Sequence, residues 1–406
     1  MAKVLIIGSG GREHALALAL KRSPKVAQLA FAGGENVGLE AIAARVADAK
    51  SVASAFDLVV IGPEAPLVAG LADQLRERVP VFGPSAAAAR LEASKAFTKA
   101  ICAEASIPTA RAQTFEDRAA ALAGLSAFGD VVVKADGLAA GKGVTVARDH
   151  AEAAAAIEAA FDGVFGAAGH RVVLEEQLFG PEVSLFALCD GTVVRPLATA
   201  RDFKRAHDGG TGPNTGGMGA VSPAPDLPPG LVETAMETIV RPAIAALNAR
   251  GTPYVGVLYA GLMLTAAGPK LIEFNVRFGD PEAQVVLPRL TTDPFDILLA
   301  TATGRLGEMD LALSEKTAVG VVAAAKGYPA APTKGHAING LDQMPGGVSV
   351  IHAGTRLEGG RVVSHGGRVL CLVALGEGPA AARAQVYEGL SALDFPGGFW
   401  RSDIAA

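Results

Sequence analysis

A globular α/β fold of about two to four packed units is predicted by three features of this 406-residue sequence. Half the residues are apolar, 19% are charged and 49 are glycine, a balance found in globular enzymes rather than in disordered or fibrous chains. The first hundred residues alternate short apolar runs with longer helical ones, the pattern of βαβ units on a parallel sheet. After Ile107-Pro108, several strand-like runs crowd around one Ala-rich helical run and predict a small α+β insert.

Taken in order, residues 3–7 form the first expected strand, Gly8-Ser9-Gly10-Gly11 a turn, and 14–21 a helix. Residues 57–62, 67–78 and 81–83 repeat the alternation as strand, helix and strand. The next helix ends at Ala105, before a proline that disfavours helical geometry in the residue preceding it. Strands are expected at 131–134, 144–148, 172–176 and 183–189, with Asp149-x-x-Glu152 opening a helix in capping-box style. Residues 208–219, Asp-Gly-Gly-Thr-Gly-Pro-Asn-Thr-Gly-Gly-Met-Gly, read as a long loop, either functional or a flexible linker. A helix over 231–250, strands over 255–265 and 269–277, and a final module from about Thr317 complete the reading. That module holds strands at 348–352, 361–363 and 369–374 and a closing helix.

Composition excludes several functions. The net charge is −5 and no Lys/Arg block resembles a phosphate-backbone tract, so nucleic acid is not an expected partner. Cys102, Cys189 and Cys371 are widely spaced, which suggests neither a disulfide framework nor a zinc site and fits a reducing compartment. The opening apolar run is too short for a signal-peptide core, and no stretch reaches bilayer-spanning length. No membrane partner and a cytoplasmic location are expected. The sequence leaves the oligomeric state open, and a monomer is compatible with it.

The most informative segment is Lys270-Leu-Ile-Glu-Phe-Asn-Val-Arg277. Strand alternation puts Glu273, Asn275 and Arg277 on one face, about 6.7 Å apart, and Ile272, Phe274 and Val276 on the other. A carboxylate and an amide oxygen are hard donors suited to Mg²⁺, and Arg277 is suited to a carboxylate or a phosphoryl group in transfer. The alternative is an amphipathic strand whose polar face meets solvent. A second segment, residues 131–144, carries Lys134 on a strand and Lys142 in a glycine-rich turn, a candidate triphosphate cradle. It is not a Walker A loop, because Asp136 and Gly143 occupy positions that motif gives to Gly and Ser/Thr; a β-hairpin with solvated lysines reads equally well. A third, Gly8-Ser-Gly-Gly-Arg-Glu-His14, aims a helix N-terminus at an anion, with a spacing unlike that of dinucleotide sites. His207, His336, His352 and His365 lack ligand spacing, and Ser94 and Ser184 have no histidine partner nearby in sequence, so no covalent catalysis is expected.

Read together, Gly8-x-Gly-Gly-Arg-Glu-His14, Gly62-Pro-Glu-Ala-Pro66, Gly83-Pro-Ser85, Ser94-Lys-Ala-Phe-Thr-Lys99, residues 134–143, Thr211-Gly-Pro-Asn-Thr-Gly-Gly-Met-Gly219 and Glu273-Phe-Asn-x-Arg-Phe-Gly-Asp-Pro-Glu282 resemble the phosphoribosylamine–glycine ligase (glycinamide ribonucleotide synthetase) family of the ATP-grasp superfamily. The resemblance runs through nearly the whole chain in order. It implies an ATP-grasp fold: a Rossmann-like pre-ATP-grasp domain at 1–100, a first ATP-grasp part at 101–188 with a lid near 118–182, a central domain at 189–315 and an α+β C-terminal domain at 316–406. It implies glycine, 5-phosphoribosylamine and ATP as substrates, with Mg²⁺ or Mn²⁺ held by Glu273 and Asn275. Lys95, Lys134, Gly141, Lys142 and Gly143 would meet the ATP phosphates, with the loop 139–144 closing over them. Glu175, Glu176 and Leu178 would meet the adenine, and Glu182 the ribose. Gly10, Gly11, Arg12, Glu13, Pro63, Glu64, Thr215, Gly216, Gly217 and Asp280 are implied as substrate-binding, and Arg277, Asp202 and Lys204 as catalytic. Phe203 stands where the family usually has histidine, which removes a histidine contribution there. The same machinery serves other ATP-grasp enzymes, such as biotin-dependent carboxylases, and a silent nucleotide-binding homologue is the alternative outside enzymology.

Overall fold

The alternation of the first hundred residues folds into a five-stranded parallel sheet, seen in a computed structural model that describes residues 1–138 and 143–406. Its strands are β1 (Ala2–Ile7), β2 (Val26–Ala32), β3 (Ala44–Arg45), β4 (Leu58–Ile61) and β5 (Val81–Phe82), in the order β3-β2-β1-β4-β5. Residues Val4 to Ile7 and all of β4 are buried, as expected of parallel strands covered on both faces. The order reverses beside β1, with β2 on one side and β4 on the other, so the connections leaving β1 and β4 diverge and open a crevice at their C-terminal ends. Into it run Gly8–Gly11, which starts the helix Gly11–Lys21, and Pro63, which caps the helix Glu64–Val68. The single helix expected over 67–78 is instead two short ones, Glu64–Val68 and Leu71–Leu75, because Gly70 adopts a φ of 78° between them.

The insert is a four-stranded antiparallel sheet of β6 (Ala112–Phe115), β7 (Val131–Ala135), β8 (Val144–Val146) and β9 (Val172–Glu176), ordered β6-β9-β7-β8. The helices Arg118–Gly124 and His150–Phe161 cover one face, where Val131, Val133, Val172 and Leu174 pack on Ala121, Ala153 and Ile157. The two-residue period then turns Lys134 and Glu175 to the opposite face. Asp149 caps the second helix, accepting from the Glu152 N–H at 2.8 Å, but the Glu152 carboxylate turns to the Arg148 side chain and N–H instead of closing a capping box.

The remaining chain builds β10 (Glu182–Asp190), β11 (Val194–Asp202), β12 (Arg205–His207), β13 (Thr211–Asn214), β14 (Gly219–Ser222), β15 (Val255–Thr265), β16 (Gly268–Asn275), β17 (Thr317–Ala325), β18 (Val348–His352), β19 (Thr355–Glu358), β20 (Arg361–Ser364), β21 (Arg368–Gly376) and β22 (Gly398–Phe399). Nine of them form one sheet along β16-β15-β10-β11-β14-β17-β21-β18, with β22 on β17. The β14–β17 pairing therefore joins the metal-candidate strand and the final module in a single sheet.

Two further expectations are corrected by the strand pairings. Residues 208–219 are not a structureless loop: Thr211–Asn214 pairs with β12, because Gly209 and Gly210, at φ of 69° and 67°, reverse the chain tightly enough to make a hairpin. Nor does β16 alternate regularly to Arg277. Gly261 faces Glu273 whereas Leu262 faces Leu271, so Ile272 is the extra residue of a β-bulge, and the ladder stops at Asn275. The bulge shifts the phase of the strand: Leu271 and Phe274 are both in the core, and Ile272, expected on the core face, lines a cleft instead.

Candidate active site

Between the crevice of the N-terminal sheet, the open face of the insert and β16 lies a cleft of about 400 Å³. Lys95, Lys99, Gly143, Glu175, Glu273, Asn275, Arg277, Glu64, Arg12, Gly216 and Asp280 line it, so residues drawn from all of the chemistry-bearing segments meet in one place.

One end is rich in lysine. Ser94 caps the helix Lys95–Glu104, its hydroxyl accepting from the Phe97 N–H and donating to Asp136, both at 3.1 Å. Lys95 and Lys99 are one turn apart and share a face. Lys95 donates to the Gly137 carbonyl at 3.0 Å. Lys134 stands 3.0 Å from one Glu175 carboxylate oxygen, Lys99 3.3 Å from the same oxygen, and the second Glu175 oxygen is buried with no partner among the described residues. Burial lowers the pKa of Lys95, opposed by Glu273, and lowers that of Lys99, opposed by Glu175. Lys134, Glu176, Leu178 and Glu182 lie outside this lining, Lys134 buried on β7 behind Glu175, the others on β9, on the connection to β10, and at its start. Glu176 sits 3.4 Å from Lys270, and Glu182 pairs with Lys204. Gly141 and Lys142, with Ala139 and Ala140 of the expected covering loop, lie outside the described residues.

Glu273 lines the middle of the cleft and forms no ion pair within 4 Å among the described residues. Burial alone would raise its pKa, but the charges of Lys204, Lys134, Lys95 and Arg277 hold it below the usual carboxylate range. The Asn275 side-chain oxygen accepts from Arg277 at 3.2 Å. Arg277 is itself pinned: it donates to Glu92 at 2.7 Å and to Glu64 at 3.2 Å, while the other Glu92 oxygen accepts the Val276 N–H at 2.7 Å. Burial opposes the charge on Arg277, but Glu92, Glu64 and Glu282 outweigh it and keep the guanidinium protonated. Behind this face, burial pushes Asp202 up to about 7 even though Lys204 opposes the shift. Lys204 lies 4.0 Å from Asp202, and neither residue is in the lining.

The other end is built on the Gly8–Gly11 turn. The Glu13 carboxylate accepts the Gly10 N–H and the Arg12 side chain, each at 2.6 Å, and Arg12 also donates to the Phe278 carbonyl at 3.2 Å. A Cβ on Gly62 would stand 2.1 Å from that carboxylate, so the turns after β1 and β4 approach as closely as they do because residue 62 has no side chain. Glu13 is thus an internal strut, 2% exposed, and of the turn only Arg12 reaches the cleft. Gly10, Gly11 and Pro63 shape its wall without lining it. Asp280 is held by Gln284 at 2.7 Å and by Arg368 at 3.2 Å; burial would raise its pKa, but Arg368 and Arg12 keep it low. Thr215 donates its N–H and its hydroxyl to the Lys204 carbonyl, both at 2.8 Å, and so fixes the loop that presents Gly216 and carries Gly217.

Three charged lining residues, Lys99, Glu92 and Arg368, escaped the sequence reading. Lys99 carried a signal, its i+4 spacing from Lys95; Glu92 and Arg368 carried none, since their partners are 185 and 88 residues away. Phe203 packs under the Arg401 guanidinium, 5.4 Å from ring centre, where it supports the final module.

No group of three or more His, Cys, Asp or Glu side chains placed for a metal occurs among the described residues. Glu273 and Asn275 nevertheless fit a divalent cation, because one offers an unpaired carboxylate and the other an amide oxygen at a cleft wall; water and phosphate oxygens would complete such a sphere. The arrangement as a whole suits a polyanion bound at the lysine end and a smaller polar substrate at the arginine end.

Models of the phosphoribosylglycinamide synthetase family match the chain in three parts, the N domain at residues 2–92, the ATP-grasp (A) domain at 93–283 and the C domain at 318–406. A phosphoribosylamine–glycine ligase of Mesorhizobium japonicum is 50% identical over 99% of this chain and 97% of its own length. The crystal structure of phosphoribosylamine–glycine ligase from Thermotoga maritima superposes with a TM-score of 0.87 at 34% identity, covering 99% of this chain and all of that one. A biotin carboxylase from Campylobacter jejuni, with a TM-score of 0.74 at 15% identity over 98% of this chain and 93% of that one, shares the fold. The parallel N-terminal sheet, the insert facing β16 and the C-terminal module are the ATP-grasp architecture expected from the sequence. No described helix is long and apolar enough to cross a membrane.

Proposed function

The chain belongs to the phosphoribosylglycinamide synthetase family, and on that premise we propose how its cleft performs the family reaction, the ATP-dependent ligation of glycine to 5-phosphoribosylamine in purine synthesis. The enzyme is a ligase that forms a C–N bond and uses ATP together with a divalent cation. In the first step a glycine carboxylate oxygen attacks the γ-phosphorus, the bond to the bridging oxygen breaks, and ADP leaves glycyl phosphate behind. The phosphoribosylamine nitrogen then attacks the carbonyl carbon, the C–O bond to phosphate breaks, and the amine proton passes to phosphate or solvent.

The observation that carries this reading is the Glu273 carboxylate, free of any ion pair among the described residues and set in the field of Lys95, Lys134, Lys204 and Arg277. Lys95 and Lys134 neutralise the triphosphate, aided by backbone at Gly143 and, in our assignment, by Gly141 and Lys142. Glu273 and Asn275 would hold Mg²⁺ or Mn²⁺, which when bound offsets charge on the transferring phosphoryl group. Glu175, Glu176 and Leu178 serve adenine and Glu182 the ribose. Arg277, fixed by Glu64 and Glu92, faces the glycyl carboxylate and the oxygens of the phosphoryl group, and Asp202 and Lys204 support the same face. Gly10, Gly11, Arg12, Glu13, Pro63, Thr215, Gly216, Gly217 and Asp280 form the phosphoribosylamine end. The catalytic power of such a site lies in positioning and charge, with water kept from a reactive anhydride. The four units at 1–100, 101–188, 189–315 and 316–406, in a cytoplasmic protein, each contribute one wall.

The test is ADP release by the purified protein with magnesium, ATP and freshly generated phosphoribosylamine, with and without glycine. Glycine-dependent turnover yielding glycinamide ribonucleotide is expected. Turnover with a different carboxylate alone would keep the ATP chemistry and replace the substrate.

A further inference from the structure

The residue at the N-terminal end of β21, Arg368, comes from the final module, yet its guanidinium reaches the cleft. One terminal nitrogen donates to both the Gly216 carbonyl and the Asp280 carbonyl. The other stands 3.2 Å from the Asp280 carboxylate. From the same module, the Tyr328 hydroxyl accepts the Gly216 N–H at 3.0 Å. Both polar groups of residue 216 are therefore engaged by the final module, which fixes how this peptide faces the cleft. The contact is close on every side. A Cβ on Gly216 would stand 3.0 Å from the Arg368 guanidinium carbon, and one on Gly217, at φ of 111°, would stand 2.3 Å from Pro281. Gly367 lies flat against the Tyr328 ring, where a Cβ would be 2.3 Å away, so the two side chains are anchored to each other through the backbone. Val369 and Leu370, which follow Arg368, are fully buried, and β21 is paired on both edges. The clamp thus stands on a rigid element, as a positioning device requires.

We propose that Arg368 and Tyr328 position Gly216 and Asp280 for phosphoribosylamine, so that the final module sets the affinity for that substrate and not for ATP. The inference rests on the assignment of Gly216 and Asp280 to the phosphoribosylamine end. It assigns both residues a positioning role: they act through Gly216 and Asp280. A fixed carboxylate and a fixed peptide carbonyl are the kind of acceptors that orient an amine and sugar hydroxyls, and a guanidinium fork holds both in one plane.

The experiment compares Arg368→Met, Arg368→Lys and Tyr328→Phe in steady-state kinetics. Arg368→Met is expected to raise KM for phosphoribosylamine about tenfold or more and Tyr328→Phe about threefold. Arg368→Lys should fall between Arg368→Met and the unsubstituted protein, and KM for ATP and glycine should stay within about twofold in all three. A second readout is scrambling of the ATP β,γ-bridge oxygen, which needs ATP and glycine but no phosphoribosylamine and is expected to proceed at the unsubstituted rate. An unchanged KM for phosphoribosylamine in Arg368→Met, or scrambling that falls in step with ligation, would overturn the proposal. If the unsubstituted protein shows no glycine-dependent turnover, the ligase reading fails instead. The clamp is then read by amide exchange at residues 215–217, which Arg368→Met must accelerate about tenfold or more for the contact to count.

Discussion

The two ends of the cleft handle positive charge differently. At the lysine end, Lys95, Lys99 and Lys134 have one carboxylate oxygen between them: Lys95 rests on the Gly137 carbonyl, Lys134 on Glu175 and the Ile272 carbonyl, and Lys99 on the same Glu175 oxygen, Thr109 and the Ala110 carbonyl. At the arginine end, each arginine has a carboxylate of its own, Arg12 with Glu13, Arg277 with Glu64 and Glu92, and Arg368 with Asp280. Lysine is a compact charge on a flexible stem, whereas arginine is a planar fork that loses little freedom once paired. The first end therefore carries more positive charge than its one carboxylate balances, an excess a polyanion would neutralise, and the charges of Lys95 and Lys134 disfavour each other. The second is rigid before any substrate binds, which suits the positioning of a small nucleophile.

The largest expected effect falls where the two ends meet. Replacing Glu273 by Gln removes the carboxylate offered to a cation and is expected to lower kcat about 100-fold or more while the fold persists; turnover within about threefold of the unsubstituted protein at ordinary magnesium would break the contrast between the ends. Next comes the ion pair that fixes Arg277. Glu92→Gln leaves a mostly buried guanidinium with Glu64 as its remaining carboxylate, and urea unfolding should report a loss of about 3–5 kcal/mol. A loss below about 1 kcal/mol, the level of a surface pair, would mean that the arginine end is not rigid in the sense argued.

A smaller effect is expected at the first turn. In Gly11→Val the new Cβ would stand 2.8 Å from the Gln284 amide that holds Asp280, so KM for phosphoribosylamine should rise about tenfold with KM for ATP unchanged. Arg12→Ala should act in the same direction, and an effect confined to ATP would place the ribose-phosphate site elsewhere. The mildest effect concerns pH. His14 accepts the His352 N–H at 2.8 Å, and burial lowers His14 to about 3 and His352 to about 4. Both are neutral when folded, so their contribution is fully present above the ordinary histidine pKa of about 6.5 and is lost as pH falls through the window down to those values. For His14 this amounts to about 1.4 kcal/mol per pH unit once pH is well below 6.5. Urea midpoints at pH 7 and pH 5.5 should differ more for the unsubstituted protein than for His14→Asn, and equal differences would remove the histidine pair from the account.

The legible parts of this molecule were those whose cause is local. Periodicity exposed β1, β4, β7 and β9, and the glycine turn after β1 announced the helix that follows it. The motif order from Gly8 to Glu282 carried the family, and with it the ATP-grasp fold. Lys134, Glu273 and Asn275 were named from short segments whose chemistry shows in their neighbours and Lys95 through the family motif, and Lys95, Glu273 and Asn275 line one cleft. Glycine composition misled at 208–219, since the residues that favour an open loop also close a tight hairpin.

What the sequence by itself determined is therefore the set of elements, the family and the inventory of charged groups. The tertiary structure alone decided which of those charges are free. The bulge at Ile272 is a property of the β15–β16 pairing and not of either strand. Arg277 became fixed because Glu64 and Glu92 arrive from two separate helices, and Arg368 entered the cleft because β17 brings the final module into the central sheet. An ion pair depends on the distance between two side chains after folding, and a chain of this length brings together groups that no local pattern connects.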